Sequence, residues 1–265
     1  MNINSAILAK LFKTNISEIN KYCSKNLRKH IKFSHPNKKE SNDLVIEILN
    51  KIFTDKQIIA SKGRKNKWSK GWGENLNIYK RDSNSKSLLP KFYTARRNKY
   101  FRLGGNFIKT NDTLFEVKMT EIYRNWYSKK YFSRVENIYE FGAGTGHNLL
   151  HLAKIFPKKN LFGSDFVSTS IKIQKLLAKR EKIQLKSFIF DMAKPNKKIK
   201  LKNDSAVYTN GSIEQLGGNI EKFINYILSQ KPKIVVHIEP CVDFYDVKKL
   251  PDYLASLFQS KRKYT

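Results

Sequence analysis

A chain of 265 residues with 40% hydrophobic and 12% aromatic side chains can build one large domain or two small ones, which excludes disorder throughout. Its 52 lysines and arginines against 22 acids leave a formal charge of +30. No apolar run approaches the roughly 18 residues that a membrane-spanning helix needs. Cys23 and Cys241 stand far apart, without CxxC or Cys/His spacing, so neither a disulfide framework nor a zinc site is expected. The amino-terminal apolar stretch Ala6–Leu8 is broken by Lys10 and lacks the basic start and cleavage site of a secretory signal. These features predict a soluble, cytoplasmic protein.

The charge is unevenly spread. Residues 1–134 carry 30 basic and 10 acidic side chains (+20), residues 135–265 carry 22 and 12 (+10), and within 61–134 the count is 19 against 5. Such a concentration suits a polyanion-binding surface. However, 42 of the 52 cations are Lys and 10 are Arg, beside abundant Asn and Ile. An AT-rich coding sequence produces that composition by itself, whereas nucleic-acid readers favour Arg for its planar fork. Nucleic acid therefore stays a secondary partner.

In chain order, residues 1–60 read as helical. Ser41 is the expected cap of a helix whose apolar stripe is Val45, Ile48, Leu49 and Ile52, and the pattern breaks around His35-Pro36-Asn37. From Ser61 to about Gly105 the chain is basic, contains Gly and is studded with Trp68, Trp72 and Tyr79, and it reads as an irregular surface segment. Residues 113–130 return to helical spacing, with Phe115, Met119, Ile122 and Trp126 on one face. After Arg134 the rhythm becomes strand, turn, helix. Strands are expected at Asn137–Phe141, Asn160–Asp165, Gln184–Asp191, Ser205–Asn210 and Lys233–Glu239. Helices are expected at Asn148–Phe156, Thr169–Lys182, Asn219–Ser229 and Val247–Gln259. Short apolar runs alternating with helical patterns predict an α/β fold with a parallel sheet over 135–265, preceded by a mainly helical region over 1–134.

The stretch Ile138-Tyr139-Glu140-Phe141-Gly142-Ala143-Gly144-Thr145-Gly146-His147 lies where a strand passes into a helix. Glycines at 142, 144 and 146 let the backbone turn sharply and approach a ligand closely, and the helix start offers free N–H groups. The spacing is G-x-G-x-G rather than the G-x-G-x-x-G of a dinucleotide site, and Glu140 is not what a pyrophosphate cradle wants.

In these residues the sequence resembles the class I S-adenosylmethionine-dependent methyltransferases, whose first motif reads acidic-x-G-x-G-x-G at the end of strand one. The resemblance covers roughly 135–260. It implies a Rossmann-like sheet, S-adenosylmethionine as cofactor, and Glu140, Gly142, Gly144 and Gly146 as cofactor-binding residues. Asp165, 19 residues after Gly146, stands where the family places an acid on the ribose hydroxyls, and two acceptor oxygens suit a vicinal diol. Asp191 stands where an acid meets the adenine amino group, with apolar Met192 against the ring. Asn210 closes the fourth strand at the family's fourth motif. A closer likeness, through E-F-G-x-G-T-G-H-N-L-L, N-G-S-I-E-Q-L and H-I-E-P, is to an uncharacterised bacterial set often associated with surface-sugar biosynthesis. That set also carries a W-x-E-N-L-like segment, here Trp72–Leu76. As a lid, Trp72 would shield the sulfonium and Glu74 would orient substrate; as a surface loop, the segment would bury one aromatic.

Methyl transfer from a sulfonium needs alignment, exclusion of water and removal of the acceptor proton. Candidate bases are Glu214, directly after strand four, and His237 and Glu239 on one face of strand five. A hydrogen-bonded, buried His237 and a Glu239 that anchors a turn are equally open readings, and His147 is expected to cap the first helix. Asn210-Gly211-Ser212-Ile213 replaces the N/D-P-P-Y/F motif of amino-methylating relatives, which puts hydroxyl acceptors in front. No Asp/Asn/His cluster suggests a metal. The family sheet ordinarily ends in two more strands, whereas this chain stops after the helix that follows strand five. The sheet is therefore expected to be shortened, with strand five an edge that the N-terminal half or a second copy of the chain would cover. Three functions follow: an O-methyltransferase for a small, sugar-type or anionic acceptor, an RNA methyltransferase, or a truncated, non-catalytic cofactor-binding protein.

Overall fold

A computed structural model describes residues 1–27, 30–54, 64–90 and 99–264, and the chain divides into two compact units. Unit 1 comprises Met1–Lys56, Lys91–Tyr131 and Val242–Phe258; unit 2 comprises Gln57–Pro90, Phe132–Cys241 and Gln259–Thr265. In chain order the elements are α1 (Ser5–Leu11), α2 (Ile16–Leu27), α3 (Lys38–Thr54), α4 (Arg64–Asp82), β1 (Tyr100–Leu103), β2 (Asn106–Lys109) and α5 (Phe115–Tyr131). They continue with β3 (Asn137–Phe141), α6 (His147–Ile155), β4 (Asn160–Asp165), α7 (Ser168–Glu181) and β5 (Leu185–Ile189). Last come β6 (Ser205–Asn210), α8 (Glu221–Gln230), β7 (Ile234–Ile238) and α9 (Leu250–Arg262).

In unit 1, α2 lies against α5, and their buried faces include Ile19 and Cys23 on one helix and Ile122 and Trp126 on the other. Trp126 donates its indole N–H to Glu18 Oε1 (2.8 Å), which also accepts from Thr14 (2.5 Å) and Lys130 (2.9 Å). Three donors hold the Glu18 carboxyl down at about 2. The expected stripe of α3 is present, with Ile52 buried and Val45, Ile48 and Leu49 half-buried. Its cap is Asn37 rather than Ser41. Asn37 Oδ1 accepts from Glu40 N (2.8 Å) and Glu40 Oε2 from Asn37 N (3.0 Å), a capping box that Ser41, one turn inside, does not complete. Residues 30–34 are not helical; Lys32 and Ser34 form isolated bridges with Asn2 and Lys109.

Among its described residues, the segment expected to be irregular contains regular elements. Residues 55–63 and 91–98 lie outside the described residues. Between them α4 runs as a helix of 19 residues whose side chains Trp68, Trp72, Leu76 and Tyr79 recur at helical spacing. Its Lys, Asn and Gly content hid that period. Further on, β1 and β2 pair as an antiparallel hairpin in unit 1. Its two-residue turn, Gly104-Gly105, has φ +58° and +78°, the positive pair a tight hairpin turn demands.

Unit 2 is built on a parallel sheet of order β5-β4-β3-β6-β7. The expected strands and helices fall within three residues of the observed ones. All five residues of the central strand β3 are buried, as in a parallel sheet covered on both faces. Alternation sends Tyr139 and Phe141 to one face. There Phe141 meets Phe190 (4.8 Å between ring centroids) and Phe223 of α8 (5.2 Å), while Tyr139 stacks on Phe162 (4.2 Å). Glu140 goes to the other face, where its Oε1 accepts from Asn148 of α6 (2.7 Å). The chain winds outward from β3 through β4 to β5, then returns to the other side of β3 with β6 and β7. This is the Rossmann-like, doubly wound arrangement, and among the described residues β7 is an edge.

Candidate functional site

In a doubly wound sheet the loops leaving the strand on either side of the order reversal part from each other, and a crevice opens at their carboxyl ends. Here the reversal lies between β3 and β6. The loops after both strands line a cavity of about 380 Å³ within unit 2, the size of a small-molecule site. The loop after β3 contributes Gly142; the last residue of β4 and the loops after β4 and β5 contribute Asp165, Phe166, Phe190, Asp191, Met192 and Ala193. The loop after β6 contributes Gly211, Ser212, Gln215 and Leu216, and α4 closes one side with Arg64, Lys65, Asn66, Trp68 and Trp72.

The glycine loop fits tightly against its neighbours. Gly142 has φ +73°, and a side chain there would run into Ser212, whose hydroxyl donates to Phe141 O (3.0 Å) and ties the loops after β3 and β6 together. At Gly144 (φ +53°) a Cβ would stand 2.9 Å from the Trp72 indole. Gly146, also left-handed, is the N-cap of α6, with no side-chain cap. His147 is the first residue of that helix, its Nδ1 3.5 Å from Thr145 Oγ1.

Asp165 is 4% exposed and braces this loop. Its Oδ2 accepts from Gly144 N (2.9 Å) and its Oδ1 from Val167 N (3.1 Å), while burial pushes its carboxyl above the usual range. Asp191 is less engaged, with Oδ1 accepting from Ala193 N (2.9 Å). Glu239 is the counterpart of Asp165 across the reversal. Its oxygens accept from Ser212 N (3.1 Å) and Glu214 N (3.4 Å), holding the loop after β6, and burial raises its carboxyl too. Glu214 accepts from Gln215 Nε2 (2.6 Å). Burial first, and the Glu239 charge second, lift its carboxyl to about 7.

Of the sequence-derived cofactor residues, the cavity thus brings together Gly142, Asp165, Asp191 and Met192. Glu140, Gly144, Gly146 and Asn210 do not line it. Glu140 is bound to Asn148 on the opposite face, Gly144 and Gly146 shape the loop, and Asn210 ends β6, opposite Ile238. Of the candidate bases, Glu214 adjoins lining residue Gln215, and Glu239 is a loop clasp. His237 lies exposed on β7, its Nδ1 2.9 Å from Thr209 Oγ1, so it is hydrogen-bonded but not the buried histidine of one reading. Trp72 does line the cavity, stacked on Trp68 (5.2 Å, 24°), whereas Glu74 is exposed and does not.

Sequence reasoning passed over Phe166, Phe190, Ser212 and Gln215, although each adjoins or lies within a quoted motif. It also passed over Arg64, Lys65 and Asn66, for which no local signal exists. The strand-end acids and apolar walls fit an adenosine-like group: acceptor oxygens for hydroxyl and amino donors, with Phe166, Phe190 and Met192 for a ring. Among the described residues no His, Cys, Asp and Glu cluster is arranged to hold a metal ion, and no helix is long and apolar enough to cross a membrane.

No protein-family model matches this chain, and no curated protein matches it. Similar solved structures include the [4+2]-cyclase SpnF (12% identity, 62% of this chain and 56% of the other, TM-score 0.41). The plantazolicin methyltransferase BpumL in complex with SAH shares 14% identity over 85% of this chain and 71% of that one, at TM-score 0.37. A SAM-dependent methyltransferase from Aquifex aeolicus shares 13% over 42% and 61%, at 0.35. The chain spans 41%, 19% and 61% of the length of the first three structures found. Likenesses of this size carry no activity over to the chain.

Proposed function

We propose that unit 2 is an S-adenosylmethionine-dependent methyltransferase that transfers the methyl group to a hydroxyl of a small-molecule acceptor. The observation that carries this reading is the convergence of Gly142, Asp165, Asp191 and Met192 on one crevice at the reversal of a Rossmann-like sheet. In this reading the strands and helices of residues 135–241 hold the donor, and α4, from the N-terminal half of the chain, closes the site.

When bound, the cofactor supplies a methyl group already activated on a positively charged sulfur. The chain does the rest. Asp165 and Asp191 would accept hydrogen bonds from the nucleoside hydroxyls and amine, and Phe166, Phe190 and Met192 would flank the ring. The stacked Trp68 and Trp72 exclude water and present aromatic faces to a cation. Glu214, with its carboxyl at about 7, accepts the acceptor's proton as the new bond forms. Glu239 and Asp165 keep both loops in register for in-line transfer.

Calorimetric titration with S-adenosylmethionine tests the reading. The wild-type chain binds, and Asp191→Ala, which leaves the Asp165 clasp intact, weakens binding by about tenfold, the worth of a good hydrogen bond. Absence of wild-type binding, or unchanged affinity in Asp191→Ala, overturns it.

A further inference from the structure

Resting on that donor-binding reading, the crevice still has a corner without a task. Arg64 lines it where α4 meets the loop after β6. Its Nη1 donates to Gln215 Oε1 and its Nη2 to the Tyr264 hydroxyl (3.3 Å), both neutral groups. The same hydroxyl accepts from Arg262 (3.4 Å), and the Tyr264 ring lies 6.0 Å and 5.8 Å from the two guanidinium groups. Lys65, exposed, also lines the cavity. Like charges converge here, and the Glu214 carboxyl, lifted to about 7, lies near enough to feel both Arg64 and Arg262. An anion placed between them relieves that repulsion, and a guanidinium fork matches a carboxylate or phosphate.

We infer that Arg64 and Lys65 select the methyl acceptor, and that it is a planar hydroxy compound carrying a carboxylate or phosphate, seated between this corner and the Trp68–Trp72 stack. The donor's own carboxylate is the other anion that the corner can take. Topology favours the acceptor. Asp165 and Asp191 follow β4 and β5 on one side of β3, whereas Arg64 is tied through Gln215 to the loop after β6 on the other. Gln215 also bonds Glu214, so the anion corner and the proposed base share one support, which suits an acceptor held by its charge while its hydroxyl meets the base.

Calorimetry on the full chain separates these cases. S-adenosylhomocysteine is titrated first; at saturation, 4-hydroxybenzoate and 4-hydroxybenzamide are compared. The carboxylate is expected to bind at least about tenfold tighter than the amide. In Arg64→Gln that preference falls to within about threefold, and Lys65→Gln reduces it less. S-adenosylhomocysteine affinity changes by less than about threefold in both variants, which also shows that they are folded. Equal binding of the two probes to the wild type, or a preference untouched by both substitutions, overturns the inference while leaving the donor-binding reading standing. A tenfold or greater loss of S-adenosylhomocysteine in Arg64→Gln assigns the guanidinium to the donor's carboxylate and overturns it as well. No S-adenosylhomocysteine binding by the wild type overturns both.

Discussion

Asp165 and Glu239 each hold a loop before they can meet any ligand. Two backbone N–H groups end on Asp165, and alanine there would leave both buried without a partner at about 1–3 kcal/mol each. Asp165→Ala should therefore lose about 2–5 kcal/mol in urea unfolding, and Asp191→Ala less than about 1 kcal/mol. Donor affinity is best read from Asp191 for that reason. Glu214 makes a different prediction. The folded state holds its proton to about 7, while the unfolded chain releases it near the ordinary 4.5. Across that window the folded state binds more protons, so the contribution of Glu214 to stability is fully present below about 4.5 and is lost as pH rises to 7. Glu214→Gln should remove this slope and stabilise the chain at pH 8 by about 1–3 kcal/mol, solvent at the partly exposed carboxyl keeping the gain below the full conversion of its shift. If Glu214 is the base, the methylation rate rises through pH 7. The same variant abolishes that limb and lowers kcat by about 10²–10⁴.

The elements of the sheet were legible because a parallel strand covered on both faces carries a short apolar run, as in Ala206–Tyr208 of β6, between polar ends. α4 was not, because Trp68, Trp72, Leu76 and Tyr79 are separated by Lys, Asn and Gly, the residues that ordinarily mark a loop. Tertiary packing overrides that composition: α4 lies along α7, where Arg180 donates to Tyr79 O and its guanidinium lies 4.8 Å from the Tyr79 ring. Two of the glycines serve no contact. A Cβ at Gly71 or Gly73 meets nothing within 4 Å, so Gly71→Ala should raise stability by about 0.5–1 kcal/mol in thermal or urea unfolding. The five lining residues that α4 supplies lie 70 or more residues before Gly142 in the chain. Nothing local ties Arg64 to Gln215; only the fold does.

At the scale of the whole chain, the +30 charge predicts adsorption to any polyanion at low salt. Retention on heparin or RNA should vanish by about 0.5 M salt while S-adenosylmethionine affinity changes less than twofold. RNA binding that survives such salt would favour a nucleic-acid acceptor instead. The charge count narrowed that alternative to residues 61–134 but named no contact within them, whereas Gly142, Asp165 and Asp191 marked their places by standing at strand ends. The three tryptophans also divide between the two units, Trp126 in unit 1 and the stacked Trp68 and Trp72 in unit 2. Each unit therefore carries its own intrinsic fluorophore. In Trp126→Phe all indole emission comes from unit 2, and in the Trp68→Phe, Trp72→Phe double variant all of it comes from unit 1. Melting curves of the pair show directly whether the units lose structure together or in turn.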